Sequence, residues 1–189
     1  MGESAGREAD QSLVGEFQRG RQPQRRRAFC ALYERHAGNL RQYVGRMTRC
    51  DDLADDLTQE AFLKALAGLD GFRGNSSFKT WLYQIATNLV VSHRRRKKTM
   101  TGGSRCEEAQ AATPSPAETL SLREERDRVR VAVEALPEDL RAPLLLVRVE
   151  GLKYREAADV LGLTLSAVRM RVHRAHAALT EKLAGAMEQ

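Results

Sequence analysis

One stretch of this chain limits its architecture more than any other. Residues 99–120, TMTGGSRCEEAQAATPSPAETL, hold glycine, serine, threonine, alanine and proline with almost no large apolar side chain. Such a segment cannot bury enough surface to offset the entropy of ordering it. It is expected to be a flexible linker, and it divides the 189 residues into two blocks, each the size of a small domain. Both blocks repeat apolar residues at three- and four-residue steps, the period of amphipathic helices. Ala, Leu and Arg dominate and aromatic residues make up only 5%, which favours helix over sheet. The expected fold is all-α, two small helical domains joined by that linker.

The pattern places a polar arm at residues 1–27, a first domain at 28–98, the linker at 99–120, a second domain at 121–184 and a tail at 185–189. In the arm, Leu13, Val14 and Phe17 suggest a short amphipathic helix, followed by Arg25, Arg26 and Arg27. Phe29, Leu32, Tyr33, Leu40, Tyr43, Val44 and Met47 give two helical stripes broken near Gly38. Leu53, Leu57, Ala61, Leu66 and Leu69 give the next. The run from Gly71 to Ser77 interrupts the pattern as a turn, with Ser76 or Ser77 able to cap the helix that follows. That helix carries Trp81, Ile85 and Leu89 and ends in Arg94, Arg95, Arg96, Lys97 and Lys98. The spacing of Trp81 with Ile85 and Leu89 makes it a core residue rather than an exposed wedge.

The net charge of +6 makes a polyanionic partner plausible, though many basic proteins have none. No apolar run approaches the roughly 18 residues needed to cross a bilayer, and the polar start MGESAGREADQ has no signal-peptide core. Membrane insertion is not expected. Cys30, Cys50 and Cys106 are odd in number and lack CxxC spacing, which points to a reducing cytoplasm rather than a disulfide framework. Cys30 and Cys50 are expected as buried thiols, leaving Cys106 in the linker as the one to test for reactivity. No phosphate-cradling glycine loop, nucleophile–base pair or clustered metal-ligand set is present, so neither catalysis, a cofactor nor a metal is expected. His173 and His176 have no third ligand nearby.

The second domain opens with a charged helix bearing Val129, Val133 and Leu136, then restarts at Pro137 with a stripe of Leu140, Leu144 and Val147 that stops at Gly151. The segment LKYREAADVLGLTLSAVRMRVHRAH then has the parts of a helix-turn-helix. Ala157, Ala158 and Leu161 make a close-packing face, Gly162 ends the first helix, Leu163 plugs the corner and Thr164 caps the second helix. Val168 and Val172 turn inward. Ser166, Arg169, Arg171 and Arg174 occupy the outer face and flanks, where arginine pairs with guanine edges or phosphate in a major groove.

The succession FCALYERHAGNLRQYV, DDLADDLTQEAFLKAL, FRGNSSFKTWLYQIATNLVVSHRRRKK, linker and helix-turn-helix resembles sigma-70 family factors of the extracytoplasmic-function group, from about residue 11 to 184. The resemblance implies that the first domain is region 2, which binds the RNA polymerase β′ clamp and melts the minus-ten element. The second is then region 4, which reads the minus-35 element and touches the β flap. Core polymerase binding falls on Asp52, Asp56, Gln59, Glu60 and Leu63, an acidic strip that would repel DNA and so suits protein. Minus-ten contacts fall on Phe72, Arg73, Gly74, Asn75 and Ser76, in the loop that holds a base flipped from the non-template strand, and on Asn88, His93, Arg94 and Arg95 of the helix after it, the minus-ten reader. Minus-35 contacts fall on Thr164, Ser166, Arg169, Met170, Arg171 and Arg174. Asn75 stands where the family pattern has an acidic residue, Met170 where a small polar one is usual, and the entry at 21–27 is more basic than the pattern. The resemblance also implies an anti-sigma partner and a bacterial cytoplasm. The rival readings are a one-component helix-turn-helix regulator, which binds duplex without polymerase, and an adaptor, which binds polymerase without opening promoters.

Overall fold

The computed structural model describes residues 2–100 and 120–185. Residues 101–119 of the expected linker, Cys106 among them, and the last residues of the tail lie outside the described residues. Four helices form the first domain: α1 (Gly2–Arg19), α2 (Gln22–Thr48), α3 (Asp51–Gly68) and α4 (Phe78–Met100). A 3₁₀ turn, Leu69–Gly71, follows α3. The second domain holds α5 (Leu120–Glu134), α6 (Glu138–Leu144), α7 (Tyr154–Leu161) and α8 (Leu165–Gly185). A π-helical turn, Leu145–Val149, prolongs α6 beyond Pro143.

α2 is the spine of the first domain, because Leu32, Leu40, Tyr43, Val44 and Met47 recur along one face and are sealed from solvent. Against it lie Ala54, Leu57, Ala61, Phe62 and Ala65 of α3, Leu82, Tyr83, Ala86 and Val90 of α4, and Val14 and Phe17 of α1. Tyr43 and Thr87 satisfy each other's buried hydroxyls at 2.9 Å. Gly68 lets the Trp81 ring approach; a Cβ there would lie 3.2 Å from it. Trp81 packs half-buried against Phe72 and Phe78, with centroids 4.9 and 6.1 Å apart, in keeping with a packing role.

Several sequence expectations are corrected. The amphipathic piece near Phe17 is one part of an 18-residue helix. The basic stretch Arg25–Arg27 is the first turns of α2 rather than an arm, started by Pro23 and by the Arg21 amide donating to Gln24 Oε1 at 3.0 Å. Gly38 does not break α2: a single glycine costs a helix interior only about 1 kcal/mol, and 27 residues with a buried face absorb it. Thr99 and Met100 continue α4 and Leu120 begins α5, so helix enters both ends of the expected linker. Leu66 is 40% and Val129 43% exposed, because the inward faces of α3 and α5 are set by Ala65 and Ala132; Leu136, placed on the charged helix by its spacing, lies buried in the turn after α5. Cys30 is exposed and Cys50 half-buried.

The two domains pack on each other through α4 and the loop before α7. Tyr83 donates to the Glu150 carboxylate and Lys79 to the Glu150 carbonyl. Arg94 bridges Glu138 and the Met47 carbonyl, Arg49 reaches the Glu134 carbonyl, and Gln84 donates to the Asp159 carbonyl at 3.4 Å. Arg141 donates to the same Glu134 carbonyl at 2.8 Å; burial, then Arg49 and Arg94 nearby, push its pKa down to about 10.

Candidate nucleic-acid and protein interfaces

α3 turns Asp52, Asp56, Gln59 and Leu63 to solvent at steps of four, three and four residues, with Glu60 half-exposed beside them. Cys50 precedes the helix in extended conformation, and Asp51 and Asp52 in the first turn complement its dipole. Arg41 of α2 takes Asp55 at 2.5 and 3.1 Å and holds its carboxyl below the usual range. Leu63, 67% exposed, and Leu66 add an apolar edge to this acidic face, a combination suited to a protein partner.

The 72–77 loop sits at the far end of the same domain. Ser77 caps α4, its hydroxyl accepting the Thr80 amide at 3.0 Å. Gly74 takes φ +73°, a conformation glycine adopts without Cβ penalty. Arg73, Gly74 and Asn75 are exposed; Phe72 and Ser76 are half-buried. Gln18 of α1 donates to the carbonyls of both Leu69 (2.9 Å) and Phe72 (2.8 Å), and Arg25 pairs with Asp70 at 2.6 Å while lying over the Phe17 ring. Sequence reasoning did not single out Gln18 or Asp70, and no local signal marks a side chain that bonds backbone some 50 residues away. Farther along α4, Asn88 and Arg95 are exposed and His93 half-exposed. Arg94 differs from the expected open tail because Glu138 of the second domain engages it.

In the second domain α7 ends at Gly162 in the left-handed region, φ +62° and ψ +35°, and α8 begins three residues later. Thr164 accepts the Ala167 amide at 3.2 Å, the expected N-cap. Val168, Val172 and Ala175 are buried against the domain, so Ser166, Arg169, Met170 and Arg174 face outward, all exposed. Arg171 is half-buried on the flank, lining a cavity of about 420 Å³ with Met47 and Val91 of the first domain. The open face offers two guanidiniums, a hydroxyl and a thioether: polar and apolar contacts of the kind base edges accept.

Comparison with known proteins agrees with this arrangement. The sigma-70 region 2 family model matches residues 32–99 and the sigma-70 region 4 model residues 126–179. The ECF RNA polymerase sigma-E factor of Escherichia coli is 37% identical, over 92% of this chain and 94% of its own length. The RNA polymerase sigma-H factor of Pseudomonas aeruginosa is 35% identical, over 93% and 94%. Among solved structures, CnrH in complex with the cytosolic domain of CnrY is 28% identical with a TM-score of 0.69, covering 94% of this chain and 98% of that one. The sigma factor RpoE in complex with the anti-sigma factor NepR from Bartonella quintana is 28% identical with a TM-score of 0.70, covering 82% and 96%. A region 2 bundle followed by a region 4 helix-turn-helix defines a sigma factor, and the chain belongs to the sigma-70 family. Within that family it falls in the extracytoplasmic-function group, as an alternative sigma factor that initiates transcription.

Proposed function

We propose that the chain attaches to core RNA polymerase through α3, with Asp52, Asp56, Gln59, Glu60 and Leu63 on the β′ clamp, while region 4 meets the β flap. α8 reads the minus-35 duplex with Ser166, Arg169, Met170, Arg171 and Arg174, Thr164 holding the turn. The 72–77 loop takes an unpaired minus-ten base, and Asn88, His93, Arg94 and Arg95 follow the strand along α4. Strand opening is then driven by tighter binding of the melted state than of the duplex, with no bond-making by this chain. It works in the bacterial cytoplasm, and an anti-sigma factor holds it inactive. The two complexes with anti-sigma factors or a cytosolic partner domain among similar structures support that last point.

The observation that carries the reading is the segregation of faces: an acidic, leucine-edged strip on α3 and an arginine-bearing open face on a capped α8. The test mixes the protein with bacterial core polymerase and scores run-off transcripts over a random promoter library. Specific transcripts are expected, abolished by Asp56→Arg through lost core binding. Arg169→Ala should cost about 1–3 kcal/mol of minus-35 discrimination, which is about 5- to 150-fold. Polymerase binding without transcripts would favour an adaptor. Duplex binding with no affinity for core polymerase would mean a one-component regulator.

A further inference from the structure

α1 closes the other side of the 72–77 loop. Between them runs a cleft of about 610 Å³, with Gln11, Ser12 and Arg19 on the α1 wall and Phe72 and Asn75 on the loop wall. Ser12, Gly15 and Arg19 stand three and four residues apart, with Gln11 four before Gly15, so they share one side of the helix, beside the buried stripe of Val14 and Phe17. Gln11, Ser12 and Arg19 are exposed there. Gly15 lets the Arg19 guanidinium fold back over the helix, where a Cβ would stand 2.6 Å from Arg19 Nη2. Gln18 spends both amide hydrogens on the Leu69 and Phe72 carbonyls, which fixes the loop at a set distance from α1. The Phe72 ring, backed by Trp81 at 4.9 Å, offers an aromatic surface at the cleft.

We propose that α1 is the second wall of the base-binding cleft, that Gln11 and Ser12 help select the base, and that Gln18 is a positioning residue for the loop. The inference rests on the minus-ten reading above. A glutamine amide and a hydroxyl supply both donors and acceptors, the pattern that distinguishes Watson–Crick edges, and the Phe72 face supplies stacking that any base accepts. Arg19 of α1 and Arg73 of the loop both line the cleft and supply cationic groups for the phosphates flanking an extruded nucleotide. The ligand class is one unpaired nucleotide of a DNA single strand.

The test uses the protein bound to core polymerase and fluorescent single-stranded oligonucleotides covering the non-template minus-ten element, with all four bases at each position. The wild type is expected to prefer one base strongly at one position. Combined Gln11→Ala and Ser12→Ala should cut that preference about tenfold, the size of a lost hydrogen bond or two, with core affinity unchanged. Gln11→Glu, which keeps the helix but only accepts, should shift preference toward bases that donate from an exocyclic amine. Gln18→Ala should weaken all four bases alike at that position and leave preferences elsewhere intact. A wild-type preference that survives unchanged in the double variant and in Gln11→Glu overturns the α1 wall while leaving the minus-ten reading standing. No preference at any position in the wild type overturns both.

Discussion

Asp10 shows how much of this protein rests on single buried charges. The carboxylate is 4% exposed and held by His36 Nε2 at 2.8 Å and Arg35 Nη1 at 2.8 Å, tying α1 to α2. Burial alone would raise its pKa; the bonds and charges of His36 and Arg35 outweigh that and leave it below the ordinary 3.8. A depressed carboxylate stabilises the fold above its unfolded pKa, and that contribution disappears as pH falls through the lower folded value. Asp10→Asn is therefore expected to cost about 1–3 kcal/mol near neutral pH in urea unfolding. The gap from wild type should narrow as the titrations move below pH 4. At the same scale, the pattern of apolar residues mis-assigned Cys30. It lies next to Phe29, yet one residue is 100° of helix turn, enough to leave the thiol exposed.

The elements carry the clearest link from local sequence to function. α8 depends on Thr164, whose hydroxyl satisfies an amide that the helix itself leaves without a partner. Thr164→Ala should lower stability by about 0.5–2 kcal/mol in thermal melts, and minus-35 duplex affinity should fall with it as the start of the recognition helix frays. α2 behaves differently, since burial rather than capping holds it. Leu40→Ala, at a site fully sealed from solvent, should cost about 2–5 kcal/mol, read by denaturant midpoint. The stripe Leu140, Leu144 and Val147 correctly ended at Gly151, but its winding was not legible. Pro143 lacks an amide hydrogen, and the chain after it widens to π geometry, with the Glu150 amide reaching the Leu145 carbonyl at 2.9 Å.

Across the whole molecule the domains are docked, and the seam contains a carboxylate. Glu150 is 7% exposed, facing Tyr83, Lys79 and Arg46. Burial pushes its pKa up, and the Tyr83 hydrogen bond, Lys79 and Arg46 offset only part of that. A raised carboxyl favours the docked state while protonated, so this contribution is complete below the ordinary carboxylate pKa and is lost as pH rises through the raised one. Scattering measurements should give a radius of gyration that grows as pH rises above the ordinary carboxylate range, and Glu150→Gln should flatten that dependence. An identical pH response in the variant would place the sensitivity elsewhere. On the proposed reading of two separated promoter elements the domains part, and the Glu150–Tyr83 and Arg94–Glu138 contacts are the ones that break.

The helical class, the division into two domains, the limits of α7 and α8, the Thr164 cap and the family itself were legible in the sequence. Each depends on contacts within a few residues: helical period, a glycine at a helix end, a hydroxyl three residues before an amide. Packing decided the rest. It set how far α1 extends, which of the neighbours Ala65 and Leu66 on α3 faces inward, the tie from Gln18 to the loop, the cleft between α1 and residues 72–77, and the burial of Glu150 between domains. These join residues roughly 50 to 70 positions apart, and no local pattern encodes a partner at that distance. The sequence determined the helices and their faces; only the tertiary structure decided which polar groups those faces bring together, because desolvation and hydrogen bonding depend on what lies opposite.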